Sequence, residues 1–312
     1  METNVISNED CIKGMKERIP DNSIDLIVTD PPYNIGKDDW DKIDNYIEWC
    51  GKWLHQCERT LKDNGSFYFF HNDFEVLAEL QNWISDKTDF VFKQLIVWNK
   101  RFKCASNKSF LDGFVEVDNL RNYQKMAEYC LYYTFQDETK GSPALRFIQD
   151  FLEEKRQEKE ISFGTLNNIC GYKAIARKWM RDYKQPRLIQ RKDYNKIKPI
   201  LGLNKNYDEL IKKYKQKRYT FNNQKTHHSV WNYEIAPKKG HITPKPLPLI
   251  ENILKHSSNK NDIVLDCFGG SGTTAKACQN LNRQYILFET NEDYVKLTKD
   301  RLRQQSLFEQ AK

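Results

Sequence analysis

This 312-residue sequence predicts an α/β protein: a mostly parallel, doubly wound sheet interrupted by an inserted helical region. Three observations carry that expectation. Short β-branched or aromatic runs alternate with stretches of helical periodicity, the signature of strand–helix–strand units and a parallel sheet. Two of the runs end in a proline- or glycine-rich turn that carries an acid, which is where open α/β sheets place their ligands. The alternation then breaks over residues 143–225, and the charge balance changes there as well.

Residues 4–7 read as a short strand, 11–18 as a helix and 24–29 as a strand. Over 44–61, Ile47, Trp49, Cys50, Trp53, Leu54, Cys57 and Leu61 recur at helical spacing. Asp63-Asn64-Gly65 stops that helix and the aromatic run 66–70 forms the next strand. A helix over 74–84, a strand over 90–98 and a strand over 128–135 follow. In the insertion, 144–161 reads as a charged helix and Ser162 as the cap of the next one. Phe163, Leu166 and Ile169, then Gly171, then Ile175, Trp179 and Met180 have the spacing of two short helices about a glycine turn. That pattern predicts a helix-turn-helix with Lys173, Arg177, Lys178 and Arg181 on or near its second helix. The plainer alternative is a small helical hairpin whose aromatics form a core. A further basic helix is expected over 207–218. The C-terminal part reads as a strand at 263–266, a helix from about Thr273 and a strand at 284–288.

The two turns hold the chemistry. Asp30-Pro31-Pro32-Tyr33 closes the run Ile24 to Thr29, and prolines cannot continue a ladder. They hold a carboxylate, the Pro31 carbonyl and an aromatic ring together at a strand end. A flat ring bearing an amino group suits such a corner: Tyr33 stacks on its face while Asp30 and the Pro31 carbonyl accept from the amino group. The second turn runs Asp266-Cys267-Phe268-Gly269-Gly270-Ser271-Gly272-Thr273 between a strand and a helix. Its glycines allow close backbone approach to a ligand. Glu289, at the end of the next strand, stands where an acid of a βαβ unit reaches ribose hydroxyls. Together these features point to a nucleoside-binding unit.

In combination these residues resemble the S-adenosylmethionine-dependent amino-group DNA methyltransferases, which modify adenine N6 or cytosine N4. In that family an Asp-Pro-Pro-Tyr motif holds the target base and a Phe-x-Gly-x-Gly loop, here Phe268 to Gly272, holds the cofactor. Catalytic motif first and cofactor loop last, with an insertion between, is similar to the β group. His241-Ile242-Thr243-Pro244-Lys245-Pro246 resembles a His-Pro-Thr-Gln-Lys-Pro segment covering the methionine end of the cofactor, with Ile242 and Pro244 departing from it. Asn8-Glu9-Asp10-Cys11 resembles a Gly-Asp-Cys segment whose Asp lies by the adenine; Cys267 stands where the family usually has Pro. The resemblance covers roughly residues 1–135 and 227–305. It implies a Rossmann-like methyltransferase fold, with a catalytic half over 1–140, an inserted target-recognition region over 141–226 and a cofactor-binding half over 227–312. Asp30, Pro31, Pro32 and Tyr33 are then the catalytic residues. The cofactor-binding set is Asp10, Cys11, Asp30, Lys245, Pro246, Asp266, Phe268, Gly269, Gly270, Ser271, Gly272, Thr273 and Glu289.

Charge supports a nucleic-acid partner. Residues 171–225 hold 17 Lys and Arg against 4 Asp and Glu, while the rest of the chain holds 33 against 39. So local an excess favours phosphate contact, and no stretch sets a bulky apolar face beside a basic one as a membrane-surface helix would. Arg101 and Lys103, in a basic loop just past a strand end, are further DNA-contact candidates, against the alternative of a solvated loop. The eight cysteines show no Cys-x-x-Cys spacing and no zinc set, so reduced thiols and no metal are expected. No apolar run approaches the ~20 residues of a membrane span, and the start lacks a signal-peptide pattern. The expected setting is the cytoplasm of a prokaryote, or a phage-encoded protein working there in restriction-modification. Duplex DNA is the expected partner, and a homodimer is permitted by the resemblance. Asp at the first motif position is similar to the adenine-N6 branch; cytosine N4 is the near alternative. A non-catalytic DNA-binding subunit, or an enzyme acting on RNA or a protein glutamine, are the competing classes.

Overall fold

A computed structural model of the chain describes residues 1–35, 42–102, 126–136, 143–181, 185–222, 228–237 and 244–310. The first elements are β1 (Val5–Ser7), α1 (Cys11–Arg18), β2 (Ile24–Thr29), α2 (Tyr46–Thr60), β3 (Leu61–His71), α3 (Phe74–Lys87), β4 (Val91–Asn99) and β5 (Ala127–Thr134). Helices α4 (Pro143–Glu158), α5 (Phe163–Cys170), α6 (Ala176–Met180), α7 (Arg191–Leu201) and α8 (Tyr207–Lys217) follow. The chain closes with β6 (Val230–Asn232), α9 (Leu247–Ser257), β7 (Ile263–Asp266), α10 (Thr273–Leu281), β8 (Gln284–Phe288) and α11 (Glu292–Gln310). They form two compact units, Met1–Phe135 with Thr220–Lys312, and Gln136–Tyr219.

The first unit is built on one eight-stranded sheet of order β1-β8-β7-β2-β3-β5-β4-β6. Only β5 runs against its neighbours; all other pairings are parallel. Side chains of β3 show why both faces are covered, since alternate residues of a strand point to opposite sides. Phe67 and Phe69 join Trp53 of α2, Leu80 of α3 and Tyr133 in the main core. Tyr68 faces the other way, stacks on Tyr132 at 4.3 Å and hydrogen-bonds Ser257 at the end of α9 at 2.8 Å. The sheet is therefore doubly wound, as expected. Helix α9 had no counterpart among the expected elements. Its Pro-rich start looks like a loop, yet proline is tolerated in the first turn of a helix, where its missing N–H is not needed.

The expected turn at Asp63-Asn64-Gly65 is instead part of β3: Ile24 pairs with Leu61, Leu26 with Ser66, and the residues between bulge.

The second unit is helical and has its own core, with Leu152, Leu166, Trp179, Tyr194, Ile197 and Leu201 buried together. Ser162 caps α5 by accepting from the Thr165 amide at 3.0 Å. Gly171 ends α5 in the left-handed conformation at φ 79°. Asn167 Oδ1 accepts from both Ile175 and Ala176 amides at 2.9 Å, which fixes the start of α6.

The pair of helices about Gly171 is present, but α6 has five residues where a groove-reading helix was expected. Five residues rise only ~7.5 Å. Trp179 and Met180 spend that turn on the core. Lys173 sits before the helix and is exposed, and Arg177 is exposed on it. Lys178 donates to Gln185 at 2.8 Å, and Arg181 is drawn to Glu153 of α4 at 2.6 Å. Helix α7, not foreseen, carries Pro199 three residues before Gly202, whose left-handed φ of 62° ends it. Along α8, Lys212, Lys213, Lys215, Lys217 and Arg218 are exposed.

Candidate active site

Strands β2 and β7 are parallel neighbours, with Leu26 opposite Val264 and Ile27 opposite Leu265. From them the chain departs in opposite directions: β2 leads through α2 to β3 on one side, β7 through α10 to β8 on the other. This is the topological switch point, where the diverging loops leave a crevice beyond the C-terminal strand ends. A cavity of about 510 Å³ opens there. It brings together the two turns singled out in the sequence, which lie more than 230 residues apart.

Thr29, the last residue of β2, ties the strand ends. Its Oγ1 donates to Asp266 Oδ1 at 3.0 Å and accepts from the Cys267 amide at 3.2 Å. Asp266 Oδ1 also accepts from the Phe268 amide at 3.1 Å, and Oδ2 from Thr274 Oγ1 at 2.6 Å. Burial outweighs these bonds and pushes the Asp266 carboxyl up to about 7. Asp266 borders the cavity, but its oxygens are spent on shaping the turn.

The glycines of this turn also serve packing within the protein. A Cβ on Gly269 would meet Leu287 Cδ2 at 3.1 Å and the Phe288 carbonyl at 3.3 Å, so the missing side chain lets the turn lie on β8. A Cβ on Gly272 would meet Thr298 Cγ2 of α11 at 2.2 Å, and its φ is 72°. Internal packing demands glycine at those two positions. Gly270 also has a positive φ, 49°, and its amide donates to Glu289 Oε2 at 2.7 Å. Glu289 Oε1 accepts from the Asn291 amide at 2.8 Å. Phe268 packs edge-on against Trp53, 5.6 Å between centroids.

Of the expected cofactor residues, Asp10, Cys11, Asp30, Lys245, Asp266, Phe268, Gly269, Gly270, Ser271, Thr273 and Glu289 line the cavity. Gly272 and Pro246 do not; they cap α10 and α9 from behind. Asp10 also caps α1, accepting from the Lys13 amide at 3.0 Å. Burial pushes the Cys11 thiol well up. Cys267 is buried 3.6 Å from the sulfur of Cys57, and both are free thiols.

At the other turn all four residues of Asp30-Pro31-Pro32-Tyr33 border the cavity. Tyr33 donates to Asp30 Oδ1 at 2.6 Å, and Tyr46 of α2 donates to the Pro32 carbonyl at 2.5 Å. The Tyr33 ring lies 4.7 Å from that of His71. Burial, reinforced by Asp30 and Glu128, drives the Tyr33 phenol well above its usual range. Burial lowers the His71 imidazole below its ordinary value, against the opposing pull of Asp73, Asp30 and Glu128.

Lys245 was expected at the cofactor's methionine end; the structure puts its ammonium on the catalytic turn. Nζ donates to Asp30 Oδ2 and, at 3.1 Å, to the Tyr33 hydroxyl, and it lies 3.5 Å from Glu128 Oε2. Burial works against its charge, but Asp30 and Glu128 outweigh it and raise its pKa. Neither Glu128 nor Lys100 was among the expected site residues. They pair at 2.8 Å. The available signal was a lone acid in the otherwise apolar and aromatic strand β5. Of the DNA-contact candidates near this end, Arg101 is exposed and its amide donates to Asn99 Oδ1 at 3.0 Å; Lys103 lies outside the described residues, as do His241, Ile242 and Thr243. Among the described residues no metal-binding cluster occurs and no helix is long and apolar enough to cross a membrane.

A family model described as DNA methylase matches residues 24–300. The type II methyltransferase M1.MboII of Moraxella bovis is 27% identical over 299 residues, covering 95% of this chain and 95% of its own. The DNA adenine methyltransferase YhdJ of Escherichia coli (strain K12) is 27% identical over 312 residues, covering 96% and 83%. The crystal structure of an M1.HpyAVI–SAM complex matches with a TM-score of 0.53 at 20% identity, over 95% of this chain and 98% of that one. The cytosine-N4-specific PvuII DNA methyltransferase matches with a TM-score of 0.57 at 13% identity, over 96% and 86%. At those identities the two structures establish the fold, Rossmann-like with a mostly parallel sheet. Motifs, topology and family model agree: the chain belongs to the DNA methylase family of amino-group methyltransferases, which act on adenine N6 or cytosine N4.

Proposed function

We propose that this chain moves a methyl group from S-adenosylmethionine to the N6 amino nitrogen of an adenine flipped out of duplex DNA, at one recognised sequence. The observation that carries the reading is the meeting of Asp30-Pro31-Pro32-Tyr33 with Phe268, Gly269, Gly270, Ser271 and Thr273 on one cavity. Its volume of about 510 Å³ falls within the ~300–1,000 Å³ usual for small-molecule sites. Its lining also suits a cation, with six acidic residues and one lysine around it.

S-adenosylmethionine supplies a sulfonium-activated methyl group. The protein's share is alignment and charge. A base amino nitrogen is a poor nucleophile because its lone pair is conjugated into the ring. Asp30 and the Pro31 carbonyl, accepting from its two N–H bonds, draw the nitrogen toward tetrahedral geometry and free that pair. They also stabilise the positive charge that develops on it as the N–C bond forms and the S–CH3 bond breaks, a charge relieved when the nitrogen gives one proton to Asp30 or to solvent. The Tyr33 ring offers a stacking surface to a base taken out of the duplex. Asp10 and Glu289 border the same cavity and suit the adenosine part of the cofactor. The exposed Lys173 and Arg177 and the basic face of α8 supply phosphate contacts.

Adenine is favoured over cytosine by the Asp that opens the motif and by the 27%-identical relative named as an adenine methyltransferase. The test is modification mapping of DNA from a methylation-free bacterial host expressing the chain or its Asp30→Ala variant. Methyladenine in one repeated sequence, absent with the variant, is the expected result. A mark on cytosine would transfer the mechanism to N4. No mark from folded protein that binds S-adenosylmethionine would reject DNA as the substrate.

A further inference from the structure

Lys245 raises an electrostatic difficulty. Its ammonium bonds Asp30 and so forms a neutral pair at the point where a negative charge is wanted, next to a cationic sulfonium and an amino nitrogen that becomes positive. We infer that Glu128 is a positioning residue for methyl transfer: held 3.5 Å from Lys245 Nζ, it aims that ammonium at Asp30 and offsets its positive charge beside the catalytic turn. The inference rests on the proposed methyltransferase function.

Three observations support it. First, Lys100, Glu128, Lys245 and Asp30 form a chain of alternating charge that begins near the surface and ends with Asp30 on the cavity. Lys100 pairs with the Glu128 oxygen remote from Lys245 and keeps 22% of its side chain exposed, so water screens it more than the buried members. Within this chain of charges, the contribution at the catalytic turn therefore comes mainly from two carboxylates and one ammonium. Second, the Glu128 and Lys245 side chains are only 6% and 7% exposed. Such a pair is weak evidence for stability, because well-packed apolar side chains usually serve as well or better. Third, the other titratable groups near Lys245 carry no charge to do this work. Burial raises Tyr33 and Cys130 well above their usual range and lowers His71, so each is shifted toward its uncharged form.

The decisive experiment compares the binding of S-adenosylmethionine and S-adenosylhomocysteine to the full chain by calorimetry, without DNA. The two differ by the methyl group and the positive charge on sulfur. Glu128→Gln should weaken S-adenosylmethionine by about tenfold relative to S-adenosylhomocysteine, because only the former carries the positive charge that a nearby carboxylate attracts in a partly screened site. It should also lower kcat, because the ammonium beside Asp30 is left without its second carboxylate. Glu128→Asp, which keeps the charge, should recover most of the preference. Lys100→Met should shift the preference the opposite way, and less, since that ammonium is partly solvated. A merely structural Glu128 would move both affinities together, and an unchanged ratio in Glu128→Gln overturns the inference. If that variant does not fold, Lys100→Met decides: a ratio that stays fixed or falls overturns it. Wild-type protein that binds neither compound would instead overturn the proposed methyltransferase function itself.

Discussion

Asp30 and Asp266 stand side by side at the ends of two parallel strands, yet the fold uses them in opposite ways. Asp266 is buried, accepts three hydrogen bonds from its own turn and from Thr29, and favours the neutral form. Asp30 faces the cavity and is paired with an ammonium and a phenol. The residues next along the chain make the difference. Two prolines without N–H groups follow Asp30, whereas the turn after Asp266 brings the Phe268 amide and the Thr274 hydroxyl onto its carboxylate. One carboxylate is left for chemistry and the other builds the wall, so position at a strand end does not by itself assign a role.

The comparison breaks most visibly at Asp30. Asp30→Asn should lower methyl transfer at least ~10³-fold by removing the charge that stabilises the reacting nitrogen. Cofactor affinity should stay within a few-fold, and single-turnover assays beside calorimetry separate the two. An Asp30→Asn protein with near-normal transfer would end the assignment.

The next effect concerns pH. The folded state holds the Asp266 proton up to about pH 7, against an ordinary value of 3.8. Its stabilising contribution is complete below the lower value and is lost as pH rises through the upper one, by roughly 4 kcal/mol over about three units. Asp266→Asn, neutral at every pH, should flatten that part of the stability profile between pH 4 and 7 in denaturant titrations. A wild-type profile parallel to that of the variant would show Asp266 ionised in the fold.

The smallest effect tests the link between the strand ends. Thr29→Val removes the hydroxyl that bonds Asp266 and the Cys267 amide. It should cost about 1–3 kcal/mol, the range for buried polar groups left without a partner. It should also raise the Asp266 midpoint further, because one bond to its ionised form is gone. A lowered midpoint would mean that Thr29 does not support the carboxylate.

Much of this molecule was legible because its signals are local. Strand β2 and helix α1 lie where alternation and helical spacing put them, and the two ligand-bearing turns declare themselves by prolines and glycines that few other settings tolerate. Where the sequence misled, the deciding contact was remote. The glycines at 269 and 272 announced a turn, but only Leu287 and Thr298 packed against them show that the missing side chains make room for protein. The helix pair about Gly171 was written in its spacing, whereas the brevity of α6 follows from Trp179 and Met180 turning into a core formed with α4, α5 and α7. Lys245 reads as part of a cofactor segment and becomes a partner of Asp30 only across 215 positions of chain. Glu128 carries no motif at all. Its importance comes from lying within reach of Lys245 and Lys100 in a buried, weakly screened place. The amino-acid sequence determined elements and turn chemistry, because backbone preferences and hydrophobic spacing act over a few residues. Tertiary structure alone decided which charges meet, because electrostatic energy depends on distance and burial in space.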